Sequence, residues 1–303
     1  MKGLTHIKPG TSIAPPTRAS AVERPVDRSR AMGTILVANG RLTNGDVARI
    51  LDFAEERRLR FGDAGVQLEL LNPDDVAFAL ARQFSNPVLS RGGLDGVSDD
   101  LLAGYDPQSA LLEPLRNLRS QLMLRWYQES TRRVLSIVSP EREEGRSWLV
   151  ANLAATFSHI GVRTLIIDAD LRQPRQQRIF NLQGAGLCEL LTGRAGGDVA
   201  RRIHPHLRLF VVGAGNVPPN PQELLSRAIF EAVVSRFAAQ FDLVLLDTPP
   251  AAESADAQII SAHAQSALML ARKGHTTRAL LSETMRNLKQ AGVSVVGSVM
   301  SEH

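Results

Sequence analysis

One short segment of the chain has the residue types and spacing of a phosphate-binding loop. The apolar run at residues 134–138 is typical of a buried strand, and the loop after it ends in a Gly-Arg-Ser where a helix is predicted to begin. Backbone N–H groups at such a helix start can bind phosphate oxygens, and a serine hydroxyl there can bind Mg²⁺. The sequence therefore predicts a nucleotide-binding segment formed by Glu144, Gly145, Arg146, Ser147 and Trp148.

The loop departs from the usual pattern at its positively charged residue. Lysine usually precedes the serine, but here the residue is Arg146, and the loop also contains the carboxylates of Glu141, Glu143 and Glu144. Arginine keeps the positive charge and can donate two hydrogen bonds to phosphate oxygens, although it is bulkier than lysine. We expect Arg146 to contact the phosphates, with nucleotide binding retained and the rate of phosphoryl transfer reduced.

Carboxylates follow two further predicted strands. Asp168 and Asp170 end one apolar run, and Asp247 ends another. Parallel sheets bind ligands at the carboxyl ends of their strands, and carboxylates there can hold Mg²⁺ and activate a hydroxyl. Each aspartate alone could equally cap the next helix or turn. Three such sites in order favour a catalytic site in which Ser147, Asp170 and Asp247 bind the metal. We expect Asp168 to act as the general base. The other two predicted catalytic residues are Arg146 and Asp170.

The elements that position these residues alternate between strand and helix. Apolar runs predict strands at residues 134–138, 163–168, 207–212, 243–247, 266–271 and 293–300, and helices at 147–160 and 222–240. Uninterrupted apolar strands are typical of a parallel sheet covered by helices on both faces. We therefore predict an α/β fold with a P-loop parallel sheet, preceded by a small, mainly helical N-terminal domain.

The N-terminal part contains a repeat. A shift of 29 residues takes Gly33 to Gly62 and Asp46 to Asp75. Each unit is predicted to form a short helix, a turn and a longer helix, with the aspartate near a helix start. The predicted organisation is a disordered lead at 1–30, a repeat-containing helical domain at 31–96 and a P-loop domain at 97–303.

Composition excludes several classes of protein. The chain has 303 residues and a net charge of +4, but aromatic residues make up only 5%, so a dedicated nucleic-acid reader is not expected. No apolar run approaches the ~20 residues that cross a bilayer, and the N-terminus lacks a signal-peptide core. A single cysteine, Cys188, fits a reducing cytoplasm.

From about Leu111 to Met300 the chain resembles the cytoplasmic tyrosine autokinases of bacterial polysaccharide synthesis, the chain-length-determinant type, within the deviant P-loop ATPases. The segment from Asp168 to Pro174 is similar to their second Walker motif, and Asp247-Thr-Pro-Pro resembles their Walker B motif. Further matching segments are Gly186-Leu187, Leu191-Thr192-Gly193, Gly213 and 218–225. The Gly-Arg-Ser loop resembles the exopolysaccharide kinases encoded with exosortase systems.

This resemblance implies a non-specific protein-tyrosine kinase that uses ATP and Mg²⁺ and regulates exopolysaccharide polymerisation, chain length and export. It also implies a cytoplasmic protein held at the inner membrane by a membrane-bound chain-length-determinant (co-polymerase) protein. Two alternatives stay open. The chain could be a kinase-inactive ATPase switch of the same class, or a non-catalytic regulatory scaffold of the export machinery.

The family's oligomerisation motif matches Glu113, Arg116 and Arg119. Spacings of three place these charges on one helix face, where they could form local ion pairs. By resemblance they contact a neighbouring subunit of a homo-oligomeric ring. The family's C-terminal tyrosine cluster has no counterpart, because the only tyrosines are Tyr105 and Tyr127. The expected phosphoacceptor is internal, a different hydroxyl or another protein.

The small N-terminal domain resembles the second-messenger-binding domain of secretion ATPases, whose motif runs from an Arg-Leu-Gly to a glutamine. The second copy here keeps both ends, Arg60 and Gln83, whereas the first begins at Ala31 and ends at Ala54. The resemblance implies cyclic di-GMP binding, and the alternative is a structural docking module.

Overall fold

The computed structural model of the chain describes residues 28–38, 40–73, 75–76, 79–80, 97–106, 109–127, 133–196, 199–204 and 207–302. The predicted disordered lead lies outside these residues except for its last three, 28–30, which begin the first helix. The predicted boundary at residue 96 also lies outside them. The division into a lead and two domains stays a prediction.

Twelve α-helices can be bounded within the described residues. They are α1 (Arg28–Ala38), α2 (Asn44–Arg57), α3 (Phe61–Gln67), α4 (Leu102–Tyr105), α5 (Glu113–Leu122), α6 (Arg146–His159), α7 (Gln176–Ile179), α8 (Leu187–Leu191), α9 (Pro221–Leu225), α10 (Ala228–Gln240), α11 (Asp256–Ala264) and α12 (Arg278–Gln290). A 3₁₀ turn (Ala110–Leu112) precedes α5, and a π-helical turn (Met123–Tyr127) follows it. None of the helices within these ranges has both the length and the apolar character needed to cross a bilayer.

Seven strands form one sheet. They are β1 (Val134–Val138), β2 (Thr164–Asp168), β3 (Arg201–Arg202), β4 (Leu209–Val212), β5 (Leu243–Asp247), β6 (Ser266–Arg272) and β7 (Ser294–Ser301). Their order across the sheet is β3-β4-β2-β5-β1-β6-β7, and every neighbouring pair is parallel except β3 and β4. The strands that carry the predicted site, β2, β5 and β1, are therefore adjacent, and their carboxyl ends meet at one edge.

The predicted α/β class and all six predicted strands are confirmed, with ends within two residues of the prediction. The two-residue antiparallel strand β3 was missed because Arg201 and Arg202 form a short, exposed and charged segment. The helix predicted at 222–240 is wrong in one respect. It is two helices, because Arg227 adopts an extended conformation between them (φ −79°, ψ 149°).

Helices cover both faces of the sheet. Alternate residues of one strand point to opposite faces, so Ile166 packs with α5 and α6, whereas Leu165 and Ile167 pack with α8 to α11. Each face is filled by fully buried aliphatic and aromatic side chains, such as Phe157 on the first and Phe230 on the second. The helix that begins at the phosphate loop, α6, is thus fixed along most of its length.

The N-terminal helices have a separate hydrophobic core, and their repeat is structural. Thr43 and Asp46 exchange hydrogen bonds between side chain and backbone at the start of α2. Asn72 and Asp75, 29 residues later, make the same reciprocal pair at 3.1 and 2.8 Å. The predicted location of both aspartates near a helix start is confirmed.

The segments around Gly186 and Gly213 lie together. A side chain at Gly186 would come within 2.2 Å of the Gly213 carbonyl oxygen, and the Leu187 N–H donates to that oxygen at 2.8 Å. Glycine is required at residue 186 by this close backbone approach. These two segments, which both match the family in sequence, therefore pack the loop after β4 against the start of α8.

Candidate functional site

The loop between β1 and α6 is held in an unusual conformation. Gly145, the cap of α6, has a left-handed backbone (φ 93°), and Glu143 has φ 58°, which non-glycine residues rarely adopt. The Glu143 carbonyl oxygen accepts a hydrogen bond of 3.0 Å from Arg272, and its side chain is exposed. The first turn of α6 is formed, since the Leu149 N–H donates to the Gly145 carbonyl oxygen at 2.9 Å.

The Glu144 side chain is bonded within the protein. The side chain is fully buried, and its carboxylate accepts hydrogen bonds from the Glu141 N–H at 2.8 Å and from the Thr276 hydroxyl. Both carboxylate oxygens are therefore used to shape the loop. For the predicted nucleotide, Glu144 would therefore have only its backbone to offer.

The Arg146 side chain is also directed inward. Its guanidinium donates to the carbonyl oxygen of Thr248 at 2.8 Å, to that of Glu141 at 2.7 Å and to the hydroxyl of Ser139. Burial lowers the pKa of this arginine, while nearby carboxylates, Asp247 first among them, oppose the shift. The guanidinium is thus bonded to the loop and to the residue that follows β5, and Arg146 also lines the cavity at this loop. The contact of Arg146 with phosphate stays a prediction.

Asp168 and Asp247 face each other at the ends of β2 and β5. They are register partners in adjacent parallel strands, and both are fully buried. Burial raises the pKa of Asp168 well above its usual range, and the Asp247 charge raises it further. Burial also raises the pKa of Asp247, although Arg146 and a hydrogen bond from Gln176 oppose the shift. Two buried carboxylates side by side favour a shared proton or a bound cation.

The aspartates also act as caps. One Asp168 oxygen, Oδ2, accepts from the backbone N–H groups of Arg175 and Gln176 at 3.0 and 2.8 Å, at the start of α7. Asp170 Oδ1 accepts from Arg172 and Gln173 at 3.1 and 2.9 Å. Capping and metal binding are compatible here, because capping leaves Asp168 Oδ1 without a partner among the residues that the structure describes.

Unpaired acceptor oxygens are concentrated at this edge. Of the five buried side-chain nitrogen or oxygen atoms without a hydrogen-bond partner in the described chain, three are oxygens of Asp168, Asp247 and Gln176. Gln176 contacts both aspartates, through its backbone at 2.8 Å and its side chain at 2.7 Å. Buried acceptors are normally paired, so oxygens grouped in this way fit a divalent cation and its water. The residues present therefore fit Mg²⁺.

A cavity of about 390 Å³ opens at the phosphate loop. It is lined by loop residues 143–148 together with Asp100, Arg175 and Ile179. The predicted nucleotide-binding residues are thus brought to one cavity, with the half-buried Trp148 in its wall.

Sequence reasoning missed three contacts around the site. Arg142 of the loop forms an ion pair with Glu253 and also contacts Gln173, so it links the segments after β1, β5 and β2. Arg172 pairs with the buried Asp256 at 2.7 Å. The third is the bridge made by Gln176. The sequence signals for these residues were indirect: Arg142 lies in the phosphate loop, Arg172 lies in the segment similar to the second Walker motif, and Gln176 follows that segment.

The predicted oligomerisation residues make contacts within the chain. The Glu113 and Arg116 side chains form an ion pair of 2.6 Å on α5, and Arg119 donates to the Thr156 carbonyl oxygen of α6 at 2.8 Å. The alternative of local ion pairing thus describes Glu113 and Arg116 in the single chain. Contact with a neighbouring subunit stays a prediction.

Comparisons with known proteins agree with this geometry. The tyrosine-protein kinase ptk of Acinetobacter johnsonii is 33% identical over 203 residues, which are 67% of this chain and 28% of that protein. The solved kinase domain of the Escherichia coli tyrosine kinase ETK is 30% identical, with a TM-score of 0.63, over 66% of this chain and 79% of that domain. The BceF tyrosine kinase domain is 28% identical, with a TM-score of 0.60, over 76% and 97%.

The match to full-length relatives is partial. The chain spans less than a third of the length of the Acinetobacter protein. No family model matches the chain.

Proposed function

Since the chain belongs to the bacterial tyrosine-protein kinases, within the deviant P-loop ATPases, we propose that it transfers the γ-phosphoryl group of ATP to a tyrosine hydroxyl. The observation that carries this proposal is the group of unpaired acceptor oxygens on Asp168, Asp247 and Gln176 beside a phosphate loop. A binding site for nucleotide alone needs the loop, whereas phosphoryl transfer also needs a metal and a base.

The roles of the residues follow from their contacts. The backbone N–H groups of Gly145 to Ser147 would bind the phosphates, and Ser147, Asp170 and Asp247 would hold Mg²⁺ directly or through water. Bound Mg²⁺ neutralises charge on the phosphates. Asp168 would take the proton of the attacking hydroxyl on Oδ1, the carboxylate oxygen that helix capping leaves without a partner among the described residues.

Labelled ATP and Mg²⁺ test this proposal, with detection of both phosphotyrosine and released phosphate. A tyrosine-containing protein substrate is included, and Asp168→Asn is compared with Asp52→Asn, a change of the same chemistry at an exposed residue of α2. The kinase proposal requires phosphotyrosine formation that only Asp168→Asn abolishes. Phosphate release without phosphotyrosine would identify an ATPase switch, and absence of both would identify a scaffold.

The acceptor is proposed to be another protein. The Tyr105 hydroxyl donates to the Val97 carbonyl oxygen at 2.7 Å, and the Tyr127 ring packs near Trp126 and Phe157 with ring centres 6.4 Å apart. Burial raises the pKa of Tyr127, so its hydroxyl is not activated. A Tyr105→Phe/Tyr127→Phe double variant should still phosphorylate an added protein substrate, and loss of that activity in a folded variant would point to an internal acceptor.

The proposed reaction also has a proposed place in the cell. By family resemblance, the chain acts at the cytoplasmic side of the inner membrane, bound to a chain-length-determinant protein, in exopolysaccharide polymerisation and export. The test is the polymer length in cells that express only Asp168→Asn. An unchanged polymer length would show that the kinase activity is not needed for exopolysaccharide polymerisation.

Homo-oligomerisation is proposed through Glu113, Arg116 and Arg119. Light scattering of Arg116→Ala and Arg119→Ala should report a smaller assembly than that of the unaltered chain. An unchanged mass would leave these residues with their intramolecular contacts alone.

A second candidate function is cyclic di-GMP binding by the helical repeats. This candidate comes from the sequence resemblance, and the repeat on which the resemblance rests is also present in the structure. Gly33 faces Val47 and Gly62 faces Val76 in the same way, with 2.8 and 2.6 Å from an added side chain to the valine methyl groups. Calorimetry of the full chain with cyclic di-GMP tests this function, and no heat at micromolar ligand would leave a structural docking module.

A further inference from the structure

Gln176 connects the three parts of the proposed kinase site. It is the first residue of α7, and its side chain is fully buried. Its amide nitrogen donates to the Ser147 carbonyl oxygen at 3.0 Å and to Asp247 Oδ2 at 2.7 Å. Its backbone N–H donates to Asp168 Oδ2 at 2.8 Å. One residue thus contacts the phosphate-loop helix and both register-paired aspartates.

The orientation of the Gln176 amide is fixed by its partners. A carbonyl oxygen and a carboxylate oxygen are both acceptors, so each requires the NH₂ group. A flipped amide would place Oε1 against both of them and lose two hydrogen bonds. In the observed orientation Oε1 is buried and has no donor among the described residues.

The same contact fixes Asp247. Gln176 occupies Oδ2 of this carboxylate, and Oδ1 is buried without a hydrogen-bond partner in the described part of the chain. Asp168 shows the same division, with Oδ2 bonded to backbone N–H groups and Oδ1 unpaired. The unpaired oxygens call for a ligand that offers positive charge or O–H donors, and a hydrated divalent cation offers both.

We propose that Gln176 is a positioning residue for the divalent cation. It holds the Asp247 carboxylate so that Oδ1 is available to the metal, and its own Oε1 accepts a hydrogen bond from metal-bound water. The inference rests on the proposed ATP- and Mg²⁺-dependent function. A group that orients a metal ligand without replacing it should alter metal affinity while leaving contacts to the metal-free nucleotide in place.

The test compares two neighbouring glutamines in the full chain. Gln176→Met keeps the side-chain length and removes the amide. Gln177→Met is the matched control, because the Gln177 amide oxygen accepts from the Gly215 N–H at 3.3 Å and, within the described part of the chain, the side chain makes no hydrogen bond to the aspartates. ATP binding is followed by calorimetry over a range of Mg²⁺ concentrations and in EDTA, and kcat and KM are measured where turnover occurs.

The expected result is selective. Gln176→Met should raise the Mg²⁺ concentration for half-maximal ATP binding by about ten-fold or more, with ATP affinity in EDTA unchanged. At saturating Mg²⁺ most of kcat should return, and Gln177→Met should match the unaltered chain. Equal Mg²⁺ dependence of both variants would overturn the inference while the proposed function stands. Absence of ATP binding by the unaltered chain would overturn both.

A second measurement covers the case in which Gln176→Met does not fold. In the unaltered chain labelled with ¹⁵N-glutamine, the Gln176 side-chain amide resonance should shift when Mg²⁺ is added to the ATP complex. A resonance that does not respond to Mg²⁺ would contradict a contact with metal-bound water.

Discussion

Arg146 donates a hydrogen bond of 2.8 Å from Nε to the carbonyl oxygen of Thr248, the residue immediately after Asp247. The bond joins the start of α6 to the end of β5 across 102 residues of sequence. Arg146, which is predicted to bind the phosphates, therefore also holds the phosphate loop in place. Binding and loop structure cannot be changed independently at this residue.

Arg146→Lys is expected to lower the free energy of unfolding by about 1–3 kcal/mol, because one ammonium cannot serve Thr248, Ser139 and Glu141 together. Urea denaturation measures the change, with Arg178→Lys at an exposed residue of α7 as the control. Equal loss in both variants would show that the buried bonds contribute little. Since lysine is usual in this loop, the phosphotyrosine rate per folded molecule should rise.

Asp168→Asn is expected to raise stability and reduce activity. Asparagine removes one of two buried like charges, and its NH₂ group can donate to an unpaired Asp247 oxygen. Phosphoryl transfer should fall by roughly 10²–10⁴-fold if this residue is the base. Thermal unfolding without Mg²⁺ gives the first quantity and labelled ATP the second. A less stable variant would contradict the charge argument.

The same pair predicts a dependence of stability on pH. The folded-state pKa of Asp168 and of Asp247 is raised, so these groups bind protons more tightly in the folded state than in the unfolded state. Their contribution to stability is complete at low pH and is lost as pH rises through the raised pKa. Asp168→Asn should flatten this loss relative to the unaltered chain in titrations without metal. If the stability of the variant and of the unaltered chain changed with pH in parallel, the prediction would be contradicted.

His159 predicts a pH effect of opposite sign. Burial, followed by the charges of Arg119 and Arg116, lowers its pKa to about 4. As pH falls from about 6.5 to about 4, the unfolded chain takes up a proton that the folded chain does not, so stability falls. His159→Gln should remove this part of the acid sensitivity, whereas His275→Gln, on an exposed loop, serves as the control. Identical slopes in all three proteins would exclude the effect.

The Arg142–Glu253 pair is expected to affect kinetics more than stability. Both side chains are more than a third exposed, so the pair should contribute less than about 1 kcal/mol to unfolding. Because it spans the phosphate loop and the segment after β5, Arg142→Gln and Glu253→Gln should each speed nucleotide dissociation. The double variant should release nucleotide only slightly faster than either single variant. Stopped-flow displacement measures the rates, and additive effects would show that the two residues act separately.

The sequence predicted the location of the site better than the side-chain arrangement within it. Apolar runs located β1, β2 and β5, and the topology of parallel strands then required Asp168 and Asp247 to meet. The inward direction of Arg146 was not predictable, because its partner Thr248 belongs to a distant segment. Gln176 carried no motif signal, and its role follows only from three hydrogen bonds that folding creates.

The two tryptophans of the chain differ in their surroundings. Trp126 is almost fully buried, with its ring N–H bonded to Ser266 at 3.1 Å, whereas Trp148 stands in the wall of the phosphate-loop cavity. Ligand binding in the cavity is therefore expected to change the fluorescence of Trp148 more than that of Trp126. A Trp148→Phe variant would assign the signal, and occupancy of the loop could then be followed in real time without any label.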